Sequence, residues 1–342
     1  MPGDGLDSAR LERELSVPAE EDLALMRRLE GGILILGVAG KMGPTLALLA
    51  RRAADLAGVP RRIVGVARFS SPEIRHRLES WGIDTIRADL LHRDEVEALP
   101  SMRNVIFMAG QKFGTSGAPS ATWAANAYMP ALVAERFARS RIVAFSSGNV
   151  YPFSDATGRG PSETDPPAPV GEYAQSVLGR ERLLEHFSRA NGTPVAIMRL
   201  NYAVEPRYGV LRDIADRVLA GRAVDLRMGH VNVIWQRDAN SVALRLLERC
   251  SSPPFVLNVT GPRRLSVRAL AESFGKAFGV EPVLAGTETP TALLSDASLC
   301  RSLFGPPRVH PDAMVERVAE WVLQGGASLG KPTHFEEREG EF

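Results

Sequence analysis

Short apolar segments alternate with longer amphipathic ones along the first 200 residues of the chain. The apolar segments predict buried strands at 33–36, 63–67, 85–87, 105–108, 142–145 and 195–200. The amphipathic segments predict helices over 45–56, 123–139 and 173–190. Strands that alternate with helices are typical of a parallel sheet with helices on both faces. We therefore predict an α/β fold with a doubly wound parallel sheet.

The pattern is less regular on either side of this core. Near the N-terminus, leucines recur at roughly helical spacing among charged residues. After residue 200, glycine and proline separate shorter elements, and clear helices are predicted only over 267–278 and 314–322. The expected segments are a helical extension over 1–30, a larger domain over 31–200 to which 231–259 returns, a smaller region over 201–230 and 260–325, and a loosely held polar tail over 326–342.

Composition and charge narrow the class of protein. The chain has 342 residues, of which 44% are hydrophobic and 24% charged, as in ordinary globular proteins. A formal net charge of +1 gives no general attraction to nucleic acid or to an anionic membrane. No apolar run approaches the roughly 18 residues that a membrane span needs, and the N-terminus lacks the apolar core of a signal peptide. We expect a cytoplasmic protein without nucleic-acid or membrane partners and, with two cysteines and no histidine cluster, without a metal site.

Three glycines at three-residue spacing follow the first predicted strand. Gly37, Gly40 and Gly43 stand in the run GVAGKMG, between that strand and the next predicted helix. Glycine permits the tight turn, lets the backbone approach a diphosphate, and lets the helix pack on the strand. The helix N-terminus then offers free N–H groups and a positive dipole to phosphates. This turn, with Lys41 and Met42, predicts a Rossmann-type dinucleotide site in the larger domain and a substrate-binding role for the smaller region.

The end of the second predicted strand bears on which dinucleotide is bound. An acidic residue there would bind the 2′-hydroxyl of the adenine ribose, but the strand ends in Val66-Ala67-Arg68. The guanidinium of Arg68 offers a fork of donors suited to a 2′-phosphate. The sequence therefore favours NADP, with NAD as the alternative.

Several further blocks follow the glycine turn in a fixed order. They are Asp89-Leu90, Met108-Ala109-Gly110, Asn126, Ser146-Ser147-Gly148-Asn149-Val150-Tyr151, Tyr173, Glu181, Arg199 and Asn258-Val259-Thr260-Gly261. In this order they resemble the extended short-chain dehydrogenase/reductase family, the group of NAD-dependent epimerases and dehydratases, over about residues 31 to 323. The resemblance implies an enzyme with cofactor contacts at Gly37, Gly40, Lys41, Met42, Gly43, Arg68, Asp89, Leu90, Met108, Ala109, Gly110 and Asn126.

The resemblance also implies a catalytic pair. By position, Ser147 would polarise the substrate oxygen and Tyr173 would exchange its proton, while hydride passes to or from the nicotinamide. A carbinol that loses hydride needs a base on its hydroxyl, and the reverse reaction needs an acid. The sequence therefore predicts an NAD(P)-dependent oxidoreductase or epimerase that acts on a hydroxyl or carbonyl of a sugar, sugar acid or sugar nucleotide.

One position departs from the family pattern. The family has a lysine four residues after the tyrosine, whereas this chain has Val177. That lysine binds the nicotinamide ribose and lowers the pKa of the tyrosine. Three explanations stay open: Lys112, which follows the fourth predicted strand, replaces it; a different base such as His230 acts; or the protein is a catalytically silent NAD(P)-binding sensor or regulator.

The substrate side is less sharply indicated. Gly148-Asn149 stands where the sugar dehydratases of the family carry an Asp-Glu pair, which argues against water elimination by that route. The candidate substrate contacts follow predicted strand ends or lie in loops: Asn149, Tyr151, Asn201, Tyr202, His230, Asn232 and Trp235. Arg207, Arg212 and Arg263 are further candidates for an anionic group. Apolar residues on helices 123–139 and 173–190 predict a homodimer seam, a pattern that packing within one chain would also produce.

Overall fold

The central element is a seven-stranded sheet in which every neighbouring pair of strands is parallel. A computed structural model describes residues 8–112 and 117–341, so the first seven residues of the predicted extension and the last residue of the tail lie outside the described residues. The sheet strands are β1 (Ile33–Leu36), β2 (Ile63–Ala67), β3 (Asp84–Arg87), β4 (Asn104–Phe107), β5 (Arg141–Ser147), β6 (Val195–Leu200) and β7 (Phe255–Val259). Their order across the sheet is β7-β6-β5-β4-β1-β2-β3.

This order confirms the predicted doubly wound fold. Strand β1 pairs with β2 on one side and with β4 on the other, with Ile33 opposite both Ile63 and Asn104. The chain therefore leaves β1 and β4 in opposite directions, which opens a crevice at their carboxyl ends. Residues that follow β1, β4, β5 and β6 meet at this edge of the sheet.

Helices cover both faces of the sheet. In chain order they are α1 (Ser8–Glu14), α2 (Glu20–Arg28), α3 (Gly43–Leu56), α4 (Pro72–Ser80), α5 (Arg93–Glu97), α6 (Pro119–Trp123), α7 (Met129–Arg136), α8 (Gly171–Asn191), α9 (Val210–Leu219), α10 (Gln236–Arg245), α11 (Val267–Phe278), α12 (Ser298–Phe304) and α13 (Pro311–Leu323). Single 3-10 turns lie at Gly148–Val150 and Leu246–Glu248. Alternate residues of β1 divide between the two faces: Ile33 and Ile35 pack with α2, α3 and α10, and Leu34 and Leu36 pack with α7 and α8.

The helix predicted over 123–139 is interrupted. A π-helical turn, Ala124–Tyr128, separates α6 from α7. Pro130 has no N–H to donate to the carbonyl of Asn126 four residues earlier, and the Nε of Arg180 donates to that oxygen instead, at 3.3 Å. A local change in helix geometry therefore lets a buried arginine bind the backbone of this segment.

The apolar seam predicted for a homodimer is used within the chain. Leu132 and Val133 of α7, Phe137 just after it and Leu184 of α8 are buried against the sheet, whereas Leu183 and Phe187 of α8 are only half-buried. Packing within the chain explains the spacing of the buried residues, and the homodimer stays a prediction.

A second core lies in the C-terminal half. It joins Ile214 of α9, Phe274 of α11 and Val318 of α13, and it also receives Leu11 and Leu15 from the N-terminal segment. Short strand pairs connect this region: His230–Asn232 with Arg264–Ser266, Ile234–Trp235 with Ala203–Val204, Leu284–Ala285 with Val224–Asp225, and Thr291–Ala292 with Ser154–Asp155. In the described part of the chain, no helix has both the length and the apolar character needed to cross a bilayer.

The C-terminal tail is packed against this second core, contrary to the expectation that it is loosely held. Thr333 and Phe335 are 3% and 2% exposed. The backbone N–H of Thr333 donates to Asp213 Oδ2 at 2.7 Å, and Arg217 forms an ion pair with Glu336. One apolar anchor and several polar contacts hold a segment whose composition is otherwise polar. The tail therefore reaches the carboxyl edge of the sheet, where it becomes part of the candidate site.

Candidate active site

The glycine turn after β1 has the predicted position between a strand and a helix. Its three glycines differ in how closely other atoms approach the place where a Cβ would be. Gly37 has φ +90°, and a Cβ there would lie 2.7 Å from the backbone nitrogen of Ala109. A Cβ on Gly43 would overlap the carbonyl of Val38. A Cβ on Gly40 would meet only the carbonyl oxygen of Gly37, at 3.3 Å. Packing therefore requires Gly37 and Gly43, whereas Gly40 leaves its backbone accessible on the side of the crevice.

Helix α3 begins directly at this turn. Its first residues are Gly43 and Pro44, and the hydroxyl of Thr45 donates to the carbonyl of Met42 at 3.1 Å. The N–H groups of a first helical turn have no partner within the helix and favour an anion. Because Gly40, Lys41 and Met42 face the crevice, this turn fits the diphosphate of a dinucleotide.

The residues predicted for the adenine end lie beyond β2 and β3. The Arg68 side chain is 75% exposed, and its Nη1 lies 4.0 Å from Asp89 Oδ2. Asp89 Oδ1 accepts the N–H of Leu91 at 3.0 Å, which fixes the loop. Leu90 is buried in the core, so only its backbone is available to a ligand. The donors of Arg68 remain accessible to a nucleotide, although a carboxylate is close by.

Asn126 is fully buried and all its side-chain atoms contact protein, which corrects the expectation of a direct cofactor contact. Its Oδ1 accepts the N–H of Gln111 at 2.9 Å, and its Nδ2 donates to the carbonyl of Gln111 at 2.8 Å. This paired contact holds the segment that follows β4, including Gly110. A Cβ on Gly110 would overlap the Arg180 guanidinium, so glycine is required at this place. Asn126 therefore positions the floor of the crevice rather than touching a ligand.

The crevice deepens into a cavity of about 370 Å³. It brings together residues from the turn after β1 and from the ends of β4, β5 and β6, with others from α8 and the tail. Those that line it include Gly40, Lys41, Met42, Met108, Gly110, Lys112, Ser147, Asn149, Tyr173, Asn201, Tyr202, Tyr208, Lys331 and Thr333. Most of the residues predicted from the sequence for the cofactor's nicotinamide end, for catalysis and for substrate thus share one cavity.

Ser147 and Tyr173 both line this cavity, close enough for the serine hydroxyl to affect the tyrosine hydroxyl. Ser147 ends β5 and is 8% exposed, and Tyr173 lies in the first turn of α8. Asn149 orients the serine, whose Oγ lies 2.9 Å from Asn149 Oδ1 and accepts the N–H of Asn149 at 3.2 Å. Burial raises the pKa of the Tyr173 hydroxyl, and the nearby Ser147 hydroxyl and the charge of Arg180 lower it by smaller amounts. At neutral pH the phenol is therefore protonated.

Arg180 is the charged residue that the sequence reasoning missed. It lies on the same face of α8 as Tyr173 and Val177, and it is 6% exposed. Its Nη1 donates to the carbonyl of Phe145 at 2.7 Å, and its Nη2 donates to Asn126 Oδ1 at 2.9 Å. An arginine on the buried stripe of a helix was the available signal, since arginine is rarely buried without a purpose.

Val177 packs where the family has its lysine. It is 2% exposed and lies against Val150 and Tyr151, with Tyr173 beside them. Lys112 approaches the same tyrosine from the other side, with its Nζ 5.7 Å from the centroid of the Tyr173 ring. Burial lowers the pKa of Lys112 to about 8, so a large fraction of it is charged at neutral pH. Two basic side chains, those of Arg180 and Lys112, therefore lie near the tyrosine.

Four predicted substrate residues do not line the cavity: Tyr151, His230, Asn232 and Trp235. The hydroxyl of Tyr151, which is 1% exposed, accepts from Arg199 Nη1 at 2.6 Å and lies 2.9 Å from Asn258 Oδ1. Trp235 is 2% exposed, and its apolar ring packs in the second core. His230 pairs with Ser266 in a short strand and does not line the cavity. The structure does not bring these side chains to the catalytic pair.

The buried network around Tyr151 supports the site from behind. Arg199 and Glu181 form an ion pair with a shortest distance of 2.7 Å, and their side chains are 5% and 3% exposed. Ser146, next to Ser147 in β5, donates its hydroxyl to the same carboxylate. The ends of β5, β6 and β7 are thereby tied together. Asn201 lines the cavity beside this network and donates to Asn232 Oδ1 at 2.9 Å, and Tyr202 has a left-handed backbone with φ +46°.

Comparison with known structures yields the same architecture. A UDP-glucuronic acid 4-epimerase from Bacillus cereus in complex with NAD has a TM-score of 0.72 at 19% identity, over 86% of this chain and 99% of that one. A UDP-glucose 4-epimerase from Thermotoga maritima has a TM-score of 0.69 at 18% identity, over the same shares. A UDP-glucose 4-epimerase from Thermus thermophilus in complex with NAD has a TM-score of 0.69 at 18% identity, over 84% and 98%. At these identities the likeness shows the fold.

Comparison at the level of sequence families is more specific. Among curated protein sequences, none matches the chain significantly. The profile of the NAD dependent epimerase/dehydratase family matches residues 33–242, which is more than half of the chain and spans β1 to α10. The match confirms the resemblance found from the sequence blocks and the prediction of an NAD(P)-dependent enzyme. The chain therefore belongs to the NAD dependent epimerase/dehydratase family.

Proposed function

We propose that this chain is an oxidoreductase or epimerase that moves hydride between NAD(P) and a carbon bearing a hydroxyl or carbonyl in a sugar-type substrate. The observation that carries the proposal is that Ser147 and Tyr173 lie together in the cavity that begins at the glycine turn. The pair offers a proton donor and an oxygen-binding hydroxyl beside the place where the turn would hold the dinucleotide. Geometry of this kind is what proton transfer to or from a carbonyl oxygen needs.

Ser147, Tyr173 and Asn149 have different roles in the proposed reaction. The chemistry that the bound nicotinamide supplies is hydride transfer. In the reduction direction, Ser147 holds the substrate oxygen and Tyr173 donates its proton to that oxygen. In the oxidation direction, Tyr173 must first be ionised, so that it can take the hydroxyl proton. Asn149 keeps Ser147 oriented through two contacts of 2.9 and 3.2 Å.

Positive charge beside Tyr173 is what makes the oxidation direction accessible. We assign this role to Arg180 and Lys112 together, because Val177 has no charge. Arg180 is held rigidly by its bonds to Phe145 and Asn126, and its charge lowers the pKa of Tyr173. Lys112 lies nearer the cavity, where its ammonium can also contact a ligand.

The specificity for the cofactor and the specificity for the substrate depend on residues at opposite ends of the site. The prediction of NADP rests on Arg68, and the NAD complexes among the similar structures support NAD instead. Those structures are of enzymes for UDP-linked sugars, which supports a sugar, sugar acid or sugar nucleotide as substrate here. Asn149, Asn201 and Tyr202 are the proposed substrate contacts, since each lines the cavity.

A second candidate function follows from Val177. An apolar residue packed where the lysine is expected would also suit a protein that binds NAD(P) without turning it over. Such a sensor would keep the glycine turn and would not need a titrating tyrosine.

Nucleotide binding and turnover separate these functions. Purified protein is titrated with NADH and NADPH by nucleotide fluorescence, and sugars are then screened for reduction of NAD or NADP by absorbance. The enzyme proposal predicts a substrate whose turnover falls sharply in Tyr173→Phe while nucleotide binding is kept. Binding without turnover of any neutral or acidic sugar would favour the sensor, and undiminished turnover in Tyr173→Phe would overturn the catalytic assignment.

A further inference from the structure

Helix α8, which carries Tyr173, begins without a capping side chain. Its N-cap residue is Val170, and its first residue is Gly171, whose backbone is left-handed with φ +80°. Helices usually begin at serine, threonine, aspartate or asparagine, because the side chain of such a residue accepts one of the free N–H groups of the first turn. Valine has no such acceptor, so the first turn of α8 depends on contacts from elsewhere in the chain.

The end of the C-terminal tail provides one of these contacts. The backbones of Gly340 and Gly171 lie so close that a Cβ on Gly171 would be 2.5 Å from the carbonyl oxygen of Gly340. A Cβ on Gly340 would be 2.5 Å from the Cα of Gly171 and 2.6 Å from the carbonyl oxygen of Val170. Both glycines have φ +80°, a conformation that residues with a side chain rarely adopt. The contact therefore requires glycine on both segments, which are far apart in the sequence.

Arg338 fixes the tail two residues before Gly340. Its Nη1 donates to the carbonyl of Thr291 at 3.0 Å, and its Nη2 donates to the Thr291 hydroxyl at 2.6 Å. Its guanidinium carbon lies 4.3 Å from the centroid of the Phe153 ring. An arginine that binds two oxygens with its planar fork and stacks on an aromatic ring holds the neighbouring backbone in one place. The position of Gly340 is therefore set by the C-terminal half of the chain.

The same tail forms part of the cavity wall before it reaches α8. Thr333 lines the cavity, and Asp213 of α9 accepts its backbone N–H at 2.7 Å and its hydroxyl at 2.5 Å. Phe335 is buried in the second core. The tail thus connects α9 and the second core to the start of the helix that carries Tyr173. Because closely packed segments have little room to slide, the tail and the start of α8 are held in one relative position.

The place of Tyr173 along α8 makes it sensitive to this contact. Tyr173 lies two residues after Gly171, in the first turn, and helix ends fray unless they are held. Val177 and Arg180, further along the helix, are buried and fixed by packing and by the bond from Arg180 to the carbonyl of Phe145. A shift of about 1 Å in a reacting group can lower a rate by about 10²-fold. Proton transfer by Tyr173 therefore depends on how firmly the first turn is held.

We propose that Gly340 is a positioning residue for Tyr173: the end of the tail holds the first turn of α8 where the Tyr173 hydroxyl lies beside Ser147. The inference rests on the proposed function, because it takes Tyr173 as the group that transfers the proton. Arg338 in turn positions Gly340. The end of the tail thus acts on the reaction through α8.

Gly340→Ala and Gly171→Ala break the contact from its two sides. Their matched controls are Gly325→Ala and Gly192→Ala, which place alanine in the same left-handed backbone, at φ +69° and +70°, where a Cβ meets none of the described residues within 4 Å. Gly325 lies just before the tail, and Gly192 follows the other end of α8. The two pairs therefore separate loss of the contact from the strain of alanine at positive φ.

Two readouts are expected to change in full-length Gly340→Ala and Gly171→Ala. Amide hydrogen exchange of segment 174–178, followed by mass spectrometry, should be at least about tenfold faster than in the natural chain, because the start of α8 opens more often. With a sugar found in the screen, kcat should fall by about 10–100-fold, whereas the dissociation constant of NADH or NADPH should change less than about twofold. Arg338→Met, which releases the tail without adding a Cβ at the contact, should shift exchange and kcat in the same direction by smaller amounts.

Exchange and kcat in Gly340→Ala equal to those in Gly325→Ala would overturn the positioning role. Lower stability with an unchanged kcat would also overturn it, because that is the result expected of a purely structural contact. A loss of NADH affinity as large as the loss of kcat would show that the whole site is disturbed, and would likewise contradict the inference. The proposed function fails separately, if the natural chain binds no dinucleotide or if Tyr173→Phe keeps full turnover, and the exchange measurement needs no substrate.

Discussion

The two ends of the cavity are built in different ways. At the cofactor end, seven consecutive residues from Gly37 to Gly43 make the turn, and helix α3 begins at its last residue. At the substrate end, the lining comes from the ends of β5 and β6, from α8 and from the tail. A local turn is encoded by residues at fixed spacing, whereas the substrate end exists only once distant segments have packed together. Substitutions at the two ends should therefore have separable effects on nucleotide binding and on chemistry.

The largest expected effect is at the substrate end. Tyr173→Phe removes the proton donor and is expected to lower kcat by about 10²–10⁴-fold. The same variant should bind NADH as the natural chain does, because Tyr173 is not part of the glycine turn. Tyr128→Phe is the matched control, since Tyr128 is 49% exposed outside the cavity. Loss of nucleotide binding together with activity would show that the two ends are not separable.

The buried ion pair behind the site is the next test. Glu181→Gln keeps the size of the side chain but leaves the charge of Arg199 uncompensated at 5% exposure. Such a change is expected to lower the free energy of unfolding by about 3–5 kcal/mol, measured by urea denaturation. Glu185→Gln breaks an exposed pair with Arg189 and should cost no more than about 1 kcal/mol. Equal effects of the two variants would contradict the structural role of the Glu181–Arg199 pair.

Packing at the cofactor end is tested with Gly43→Ala. The added Cβ overlaps the carbonyl of Val38, so the start of α3 must move away from the turn. The expected cost is about 1–3 kcal/mol in stability, with weaker binding of both NADH and NADPH. Gly117→Ala is the control, because a Cβ there meets none of the described residues within 4 Å. If Gly43→Ala leaves the affinity for both nucleotides unchanged, the glycine turn does not bind the cofactor.

Dependence on pH distinguishes the two directions of reaction. Burial raises the pKa of Tyr173, so the protonated form needed for reduction is present at neutral pH and reduction should be nearly independent of pH there. Oxidation needs the ionised form and should rise by about tenfold for each pH unit below pH 8. Above that value the rise should become shallower, because Lys112, with a pKa lowered to about 8, loses its charge. An oxidation rate that falls as pH rises would contradict Tyr173 as the base.

The smallest effect is expected at the adenine end. Arg68 is 75% exposed, so its contacts with a ligand are screened by solvent. If NADP is the cofactor, Arg68→Ala should weaken NADPH by about tenfold and leave NADH unchanged, by titration of nucleotide fluorescence. Arg62→Ala, whose Nε pairs with Asp84 at 2.7 Å on the surface, is the control. The alternative result is that the natural chain binds NADH more tightly than NADPH, with both affinities unchanged in Arg68→Ala. This result would agree with the NAD complexes of the similar structures and would show that Arg68 does not bind the cofactor.

The contrast between the two ends also explains which features could be predicted from the sequence and which could not. The strands at 33–36, 63–67 and 195–200 have the predicted bounds, because short buried runs and fixed turn residues are local properties. The role of the tail was not predictable from its polar composition, since Phe335 becomes an anchor only against a core formed by other helices. Arg180 was missed for a related reason. Its partners, Phe145 and the Asn126 carbonyl exposed by Pro130, lie 35 and 54 residues away along the chain.

The same reasoning accounts for the misplaced substrate residues. Tyr151 and Trp235 each follow or end a strand, which is where ligand-binding residues are sought in this kind of fold. Both side chains turn into packed interiors instead, and Tyr151 joins the Arg199 network. The strand end gives the position of a residue along the chain, whereas the direction of its side chain depends on which neighbours are present.

Binding of a dinucleotide by the natural chain tests the account most directly, because the glycine turn, the cavity and the catalytic pair all depend on it. Purified protein should quench or enhance the fluorescence of NADH or NADPH in a saturable way, and the bound nucleotide should be displaced by its oxidised form. Gly43→Ala should weaken this binding, and Tyr173→Phe should preserve it. Absence of saturable binding of either nucleotide would contradict the account, and with it the proposed hydride-transfer chemistry.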